Sequence, residues 1–250
     1  MRIGGIIDIS TKDIPGKTSM VIFTVGCNLN CSFCHNKHLL NPEAGREIEV
    51  NEILDHVNSN LLVSWVSVSG GEPTLQEEII ELSKEIQKVG KLLNIDTNGT
   101  NPDKIKKLFP YINRISLDLK GPLSKKTYEN IVNSEIDIDH IIETFKLVNS
   151  RENIQFEIRT TYVENLLAPK DIHKIISFLK KNRFRGNFVV QQYQYSEGVG
   201  EKYKEIYNIP EHFALFNMLK KYRKKKLLFS IFLRDNVVGY KNINEIENNW

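Results

Sequence analysis

Apolar residues along the chain recur in two alternating rhythms: short β-branched runs, then segments with a stripe every three to four positions. Residues 20–25 (MVIFTV) are too short an apolar run for a helix and are bounded by Gly26, so they read as a buried strand. Val50, Ile53, Leu54 and Val57 recur at helical spacing and predict an amphipathic helix over about 49–58. Residues 63–69 form the next strand and run into Gly70-Gly71-Glu72-Pro73. Thr74 and Glu77 then form a capping box for a helix with Leu75, Ile79, Leu82, Ile86 and Val89 as its core stripe and Gly90 as its stop. Residues 92–96, 112–119, 153–163, 188–193 and 227–233 read as further strands. Between them, Asn101-Pro102 starts a helix reaching Phe109. Ile138, Ile141, Ile142 and Phe145 mark a second helix, Ile172, Ile175, Ile176 and Leu179 a third, and residues from about 210 to 223 a last one. Residues 1–17, with a turn at Pro15-Gly16, read as an N-terminal arm.

Strict alternation of strand and helix predicts an α/β protein with a parallel sheet. Eight such units would close a barrel, and the six read here leave it open. With 250 residues, 40% of them hydrophobic, the chain can bury a large core without staples. We expect one domain over 1–250, with its core at about 18–193 and a C-terminal helix and strand extension at about 194–250. Lys+Arg 34 against Asp+Glu 31 leaves a formal charge of +3, too small a surplus to argue for nucleic acid or another polyanion. The basic run at residues 220–226, broken only by Tyr222, is read as cations complementing a helix C-terminus. His38, His56, His140, His173 and His212 are read as surface histidines. No apolar run approaches the ~18 residues of a membrane span, and the N-terminus lacks a signal-peptide core, so a cytoplasmic protein is expected.

The chain has three cysteines, Cys27, Cys31 and Cys34, crowded into eight residues of the loop that follows the first strand of the βα series. In parallel α/β sheets ligands gather at the carboxyl ends of strands, where this loop emerges. Three thiolates on a [4Fe–4S] cube leave one iron without a protein ligand and open to a bidentate small molecule. A zinc site could recruit His35, although its adjacency to Cys34 strains a tetrahedron. A disulfide would leave an odd cysteine and gain little in a chain this long.

The x3, x2 spacing with Phe33 before the last cysteine resembles the cluster loop of the radical S-adenosylmethionine (SAM) superfamily. The resemblance implies an open partial (β/α)6 barrel, a [4Fe–4S] cluster on Cys27, Cys31 and Cys34, and SAM on the open iron. Gly70, Gly71, Glu72 and Pro73, otherwise readable as a simple turn, resemble that family's motif for SAM's amino group. Asp96, Thr97 and Asn98 on one strand end, with Asp118 and Lys120 on the next, resemble the glycyl radical enzyme activating enzymes. There the matching residues hold SAM's carboxylate and ribose, so Asp96, Thr97 and Asp118 are implied as ligands of a monovalent cation and Lys120 as the partner of SAM's carboxylate. Arg159 and Gln192 would complete this rim or pair with neighbouring acids.

Ser10, residues 13–17, Ile22-Phe23, Gly26-Cys27-Asn28 and Cys34-His35-Asn36 narrow the resemblance to the anaerobic ribonucleoside-triphosphate reductase activating proteins, over roughly 10–192. It implies a glycyl radical enzyme subunit as substrate. The chain has no cysteines for a second cluster, so an external one-electron donor such as flavodoxin or ferredoxin is expected. Two other classes stay open. A small-molecule enzyme resembling 7-carboxy-7-deazaguanine synthase would need a polar pocket inside the half-barrel. A non-catalytic iron–sulfur electron carrier would be expected to have a fourth cysteine.

Overall fold

The computed structural model describes residues 1–196, 199 and 201–247. Seven strands run parallel: β2 (Ser19–Thr24), β4 (Trp65–Gly70), β5 (Leu92–Thr97), β6 (Arg114–Asp118), β7 (Gln155–Tyr162), β8 (Asn187–Gln192) and β9 (Ser230–Asp235). Each successive pair is joined through helix: α1 (Val50–Ser59), α2 (Ile79–Lys88), α3 (Pro102–Leu108), α4 and α5 (Lys125–Val132, Ile138–Asn149), α6 (Pro169–Lys181), then α7 and α8 (Glu201–Ile206, His212–Leu219). Three antiparallel strands flank the series: β1 (Arg2–Ser10) and β3 (Arg46–Glu47) beyond β2, and β10 (Gly239–Asn242) beyond β9. The sheet order is β10-β9-β8-β7-β6-β5-β4-β2-β1-β3, so β10 and β3 are its two edges and the partial barrel is open between them.

The expected six βα units are present, with β9 as the closing strand. The helices bury the stripes that their spacing predicts: Ile53 and Val57, Ile79, Leu82 and Ile86, Ile141 and Phe145, Ile172 and Ile176 are all fully enclosed. That one-sided burial is what keeps short helices folded on a sheet.

Several expectations need correction. Residues 1–17 are more than an arm, because Arg2–Ser10 pairs along β2 and supplies its outer hydrogen bonds. Thr74 and Glu77 do not cap a helix. Pro73–Leu75 is a single 3-10 turn capped by Glu72, and α2 begins only at Ile79, which leaves Leu75 and Val89 exposed. The helix expected over about 210–223 ends at Leu219 and tightens into a 3-10 turn over Lys220–Tyr222. α4, α7 and β10 were not anticipated. Of the C-terminal extension at about 194–250, residues 197, 198, 200 and 248–250 lie outside the described residues. His212 is buried and its Nδ1 lies 2.6 Å from Asp235 Oδ2, so it ties α8 to the end of β9 and is not a surface histidine.

Candidate functional site

Every residue expected to hold the cluster or SAM, except Pro73, lines one cavity of about 920 Å³ at the carboxyl ends of the parallel strands. Pro73 is buried behind it, opening the 3-10 turn. The cysteine loop leaves β2 through Gly26, whose N–H donates to the Leu39 carbonyl at 2.7 Å. Three contacts from outside the loop fix it. Asn30 N–H donates to the Val132 carbonyl at the end of α4, Ser32 and Tyr207 share a 2.6 Å hydroxyl hydrogen bond, and His35 Nε2 lies 2.8 Å from the Gln194 carbonyl. Lys37 Nζ donates to Asn30 Oδ1 and to the Cys31 carbonyl.

Gly70 and Gly71 bring the end of β4 against the start of this loop. Gly71 N–H donates to the Thr24 carbonyl and Glu72 N–H to the Gly26 carbonyl, both at 2.8 Å. A Cβ on Gly71 would stand 2.1 Å from the Gly26 oxygen, and Gly70 has φ +108°, a conformation that side chains disfavour. The glycines are therefore required for backbone to meet backbone within the chain, whatever else they approach.

Glu72 is fully buried and spent on the protein. Its Oε1 accepts from Thr74 N–H, Thr74 Oγ1 and Thr97 Oγ1, and its Oε2 accepts from Asn98 N–H at 2.7 Å. Burial pushes its pKa up, against these hydrogen bonds. Asn98 carries the tie onward, donating to Asn28 Oδ1 at 2.9 Å beside the first cysteine.

Asp96 and Asp118 lie on neighbouring strands, and the cation between them is Arg159. Its Nη2 is 3.0 Å from Asp96 and its Nε 2.9 Å from Asp118, while Lys120 Nζ approaches Asp118 at 3.0 Å. Burial alone would raise the Asp118 pKa, but Arg159 and Lys120 outweigh it and bring it down to about 2. Lys120 and Arg159 are held more basic than usual by these carboxylates despite their burial. Thr97 is already committed to Glu72, and Gln192 to the Pro210 carbonyl and the Asn236 N–H.

Sequence reasoning missed the supports beneath this rim. Tyr128, on the unanticipated α4, accepts from Lys120 N–H at 3.0 Å. One layer down, Arg114 pairs with Glu157 at 2.7 Å, and Asn94 joins Arg114 to Asp96. The two-residue alternation of β5, β6 and β7 puts Asn94, Asp96, Arg114 and Glu157 on one face, which was the available signal for all but Tyr128.

The donor set fits an iron–sulfur cluster. Burial raises the pKa of Cys27 to about 12 and of Cys31 to about 11, so a cation at this wall would have to displace their protons, as cluster irons do when thiolates ligate them. Among the described residues no three His, Cys, Asp or Glu side chains converge on a point for a single metal ion. No described helix is long and apolar enough to cross a membrane.

The radical SAM superfamily profile matches residues 21–186. A protein of Methanocaldococcus jannaschii, provisionally named a glycyl-radical enzyme activating enzyme, is 33% identical over 211 residues, covering 82% of this chain and 85% of that protein. A 7-carboxy-7-deazaguanine synthase of Methanospirillum hungatei is 28% identical, covering 72% of this chain and 77% of its own length. Among solved structures, Streptococcus suis SuiB bound to S-adenosylmethionine superposes with a TM-score of 0.67 at 21% identity. That likeness, which is one of fold, covers 86% of this chain and 50% of SuiB, so the chain spans about half of that protein. The chain thus belongs to the radical SAM superfamily, in the family of the glycyl-radical enzyme activating enzymes, and is an oxidoreductase that uses a [4Fe–4S] cluster and S-adenosylmethionine.

Proposed function

We propose that this protein generates the glycyl radical of a partner enzyme, with anaerobic ribonucleoside-triphosphate reductase as that partner. The observation that carries the reading is the convergence on one cavity of the cysteine loop and the ends of β4, β5 and β6. Cys27, Cys31 and Cys34 would hold the cluster, with SAM beside it against Gly70-Gly71-Glu72, Asp96, Asn98, Asp118 and Lys120. Together these cofactors supply one-electron cleavage of the sulfonium C5′–S bond and, from it, a hydrogen-abstracting carbon radical. The chain's own residues position and enclose. Asp118 and Lys120 present adjacent opposite charges to a zwitterionic amino acid moiety, and Glu72 locks the loops around it. No side chain need act as acid or base. A monovalent cation at Asp96, Thr97 and Asp118 would share them with Arg159, and is placed as an accessory to SAM's carboxylate. The electron comes from a separate protein such as flavodoxin or ferredoxin.

The partner's loop must bring its glycine Cα to about 3–3.5 Å from the reacting carbon, and the opening between the sheet edges gives it a route. Reduced protein with SAM alone should cleave SAM slowly, and adding the reductase subunit should yield a protein radical in step with 5′-deoxyadenosine. Deuterium at the partner glycine's Cα should appear in that product. A second reading, a radical SAM enzyme acting on a small molecule, is favoured by one observation, the polar inner face that β5 to β9 present to the cavity. Label arriving only from a metabolite, with no protein radical, would select it.

A further inference from the structure

Of the cations on the inner wall of the half-barrel, Arg114, Arg159 and Lys120 are matched with carboxylates and the half-buried Arg234 is not. Arg114 pairs with Glu157, Arg159 with Asp96 and Asp118, and Lys120 with Asp118. Arg234 lies on the same inner face of β9, one layer closer to the rim, in register with Gln191 of β8 and Tyr240 of β10. It lines the cavity, yet among the described residues no carboxylate lies within 4.0 Å of it. Its Nη1 donates to Gln191 Oε1 at 3.0 Å and its Nη2 to the Lys12 carbonyl at 2.7 Å, both neutral acceptors. Two of a guanidinium's five N–H groups are thereby used, and the other three are left for the cavity.

Withdrawing a charge from water without an opposite charge is costly, and a carboxylate accepting two parallel N–H groups is the partner that best offsets it. We propose that Arg234, backed by Gln191 and the Lys12 carbonyl, receives a carboxylate of the substrate inside the half-barrel. Burial and the neighbouring Arg159 weaken Arg234's hold on its proton more than the distant carboxylates of Glu157, Asp13 and Asp96 restore it, the condition that an incoming anion relieves. The carboxylate belongs either to a free metabolite or to an acidic side chain near a partner's glycine. The proposal rests on reading this cavity as the chamber where substrate meets SAM. A purely structural reading is also available, in which Arg234 only ties the loop after β1 to β9 through Lys12.

Calorimetric titration of reconstituted, SAM-saturated protein at constant ionic strength separates them. The probes are succinate, the peptide acetyl-Gly-Asp-Gly-amide and its Asn counterpart. Wild type should bind the Asp peptide or succinate at least about tenfold more tightly than the Asn peptide, the scale of a charge-assisted pair. Arg234→Gln should erase that preference and Arg234→Lys keep part of it. Should Arg234→Gln fail to fold, Gln191→Ala, which frees one orienting contact, should reduce the preference. Tighter binding of the Asp peptide than of succinate assigns the carboxylate to a polypeptide, and the reverse to a metabolite. No preference in wild type, or a preference that survives Arg234→Gln, overturns the proposal and leaves the structural tie. Because no glycyl radical partner is present, failure to form a protein radical would overturn the partner reading without touching this result.

Discussion

Glu72 and Asp118 stand at strand ends two places apart in the sheet, both drawn out of bulk water, and their acidities move in opposite directions. Glu72 is surrounded by neutral donors, two hydroxyls and two backbone N–H groups, and burial dominates to raise its pKa. Asp118 is opposed by burial too, but Arg159 and Lys120 bring it to about 2. The sign of the charge nearby, more than depth, separates a carboxylate that ties loops together from one that stays ionised at the cavity rim. Glu72 is the knot between β4, β5 and, through Asn98, the cysteine loop. Asp118 is the charged centre of the rim.

Removing the knot should produce the largest effect. Glu72→Ala strands four buried donors at about 1–3 kcal/mol each if water does not reach them, so we expect a loss of about 4 kcal/mol in urea unfolding and a lower iron content on reconstitution. A loss under about 1 kcal/mol would break the contrast. Asp118→Asn should cost less, about 2 kcal/mol at neutral pH from the depressed pKa, and should weaken SAM binding while iron content stays intact. Equal loss of iron would move Asp118 into the cluster's support.

The same carboxylate gives a pH test. A depressed pKa means stability that is present above the unfolded value of 3.8 and is lost as pH falls through the folded value of about 2. Wild type should shed this contribution between about pH 4 and pH 2, while Asp118→Asn shows no such component in that window. Tyr128→Phe should cost about 1 kcal/mol, because Lys120 N–H loses its acceptor while its side-chain pair survives. Exchanging the monovalent cation in the buffer should change SAM affinity least, since Arg159 already stands between Asp96 and Asp118. A change as large as that of Asp118→Asn would show the ion, and not Arg159, to organise the rim.

Much of this arrangement is legible in the order of residues. The strands with β-branched runs and the helices with clean stripes appear where their patterns place them, because burial on one side imposes the period. α4 escaped because KKTYENIV places only Tyr128, Ile131 and Val132 inward, too few for a stripe. β1 escaped because Gly4-Gly5 interrupts it and its outer residues are exposed, so its order comes from pairing with β2. β10 is four residues, GYKN, that become a strand by completing a hairpin with β9. The expected capping box failed for a definable reason, since Thr74 is drawn to Glu72, two residues earlier, where a carboxylate with no solvent needed its donors.

Residue type and order fix which atoms are present for chemistry: three thiols in eight residues, and glycines and carboxylates at successive strand ends. Those properties are local, set by residue type and spacing, and the strand–helix rhythm was enough to bring them to one rim. How each polar group is spent is a property of the folded chain. Arg159 stands between two aspartates, 41 and 63 residues earlier in the chain, that read as a cation site, and Thr97 and Gln192 are used up by Glu72 and the C-terminal loops. Among the described residues Arg234 has no carboxylate within 4.0 Å and meets the carbonyl of Lys12, 222 positions earlier. Pairing among buried charges depends on which strands lie side by side and which face they share, and a single linear pattern does not carry that information until the sheet has closed around it.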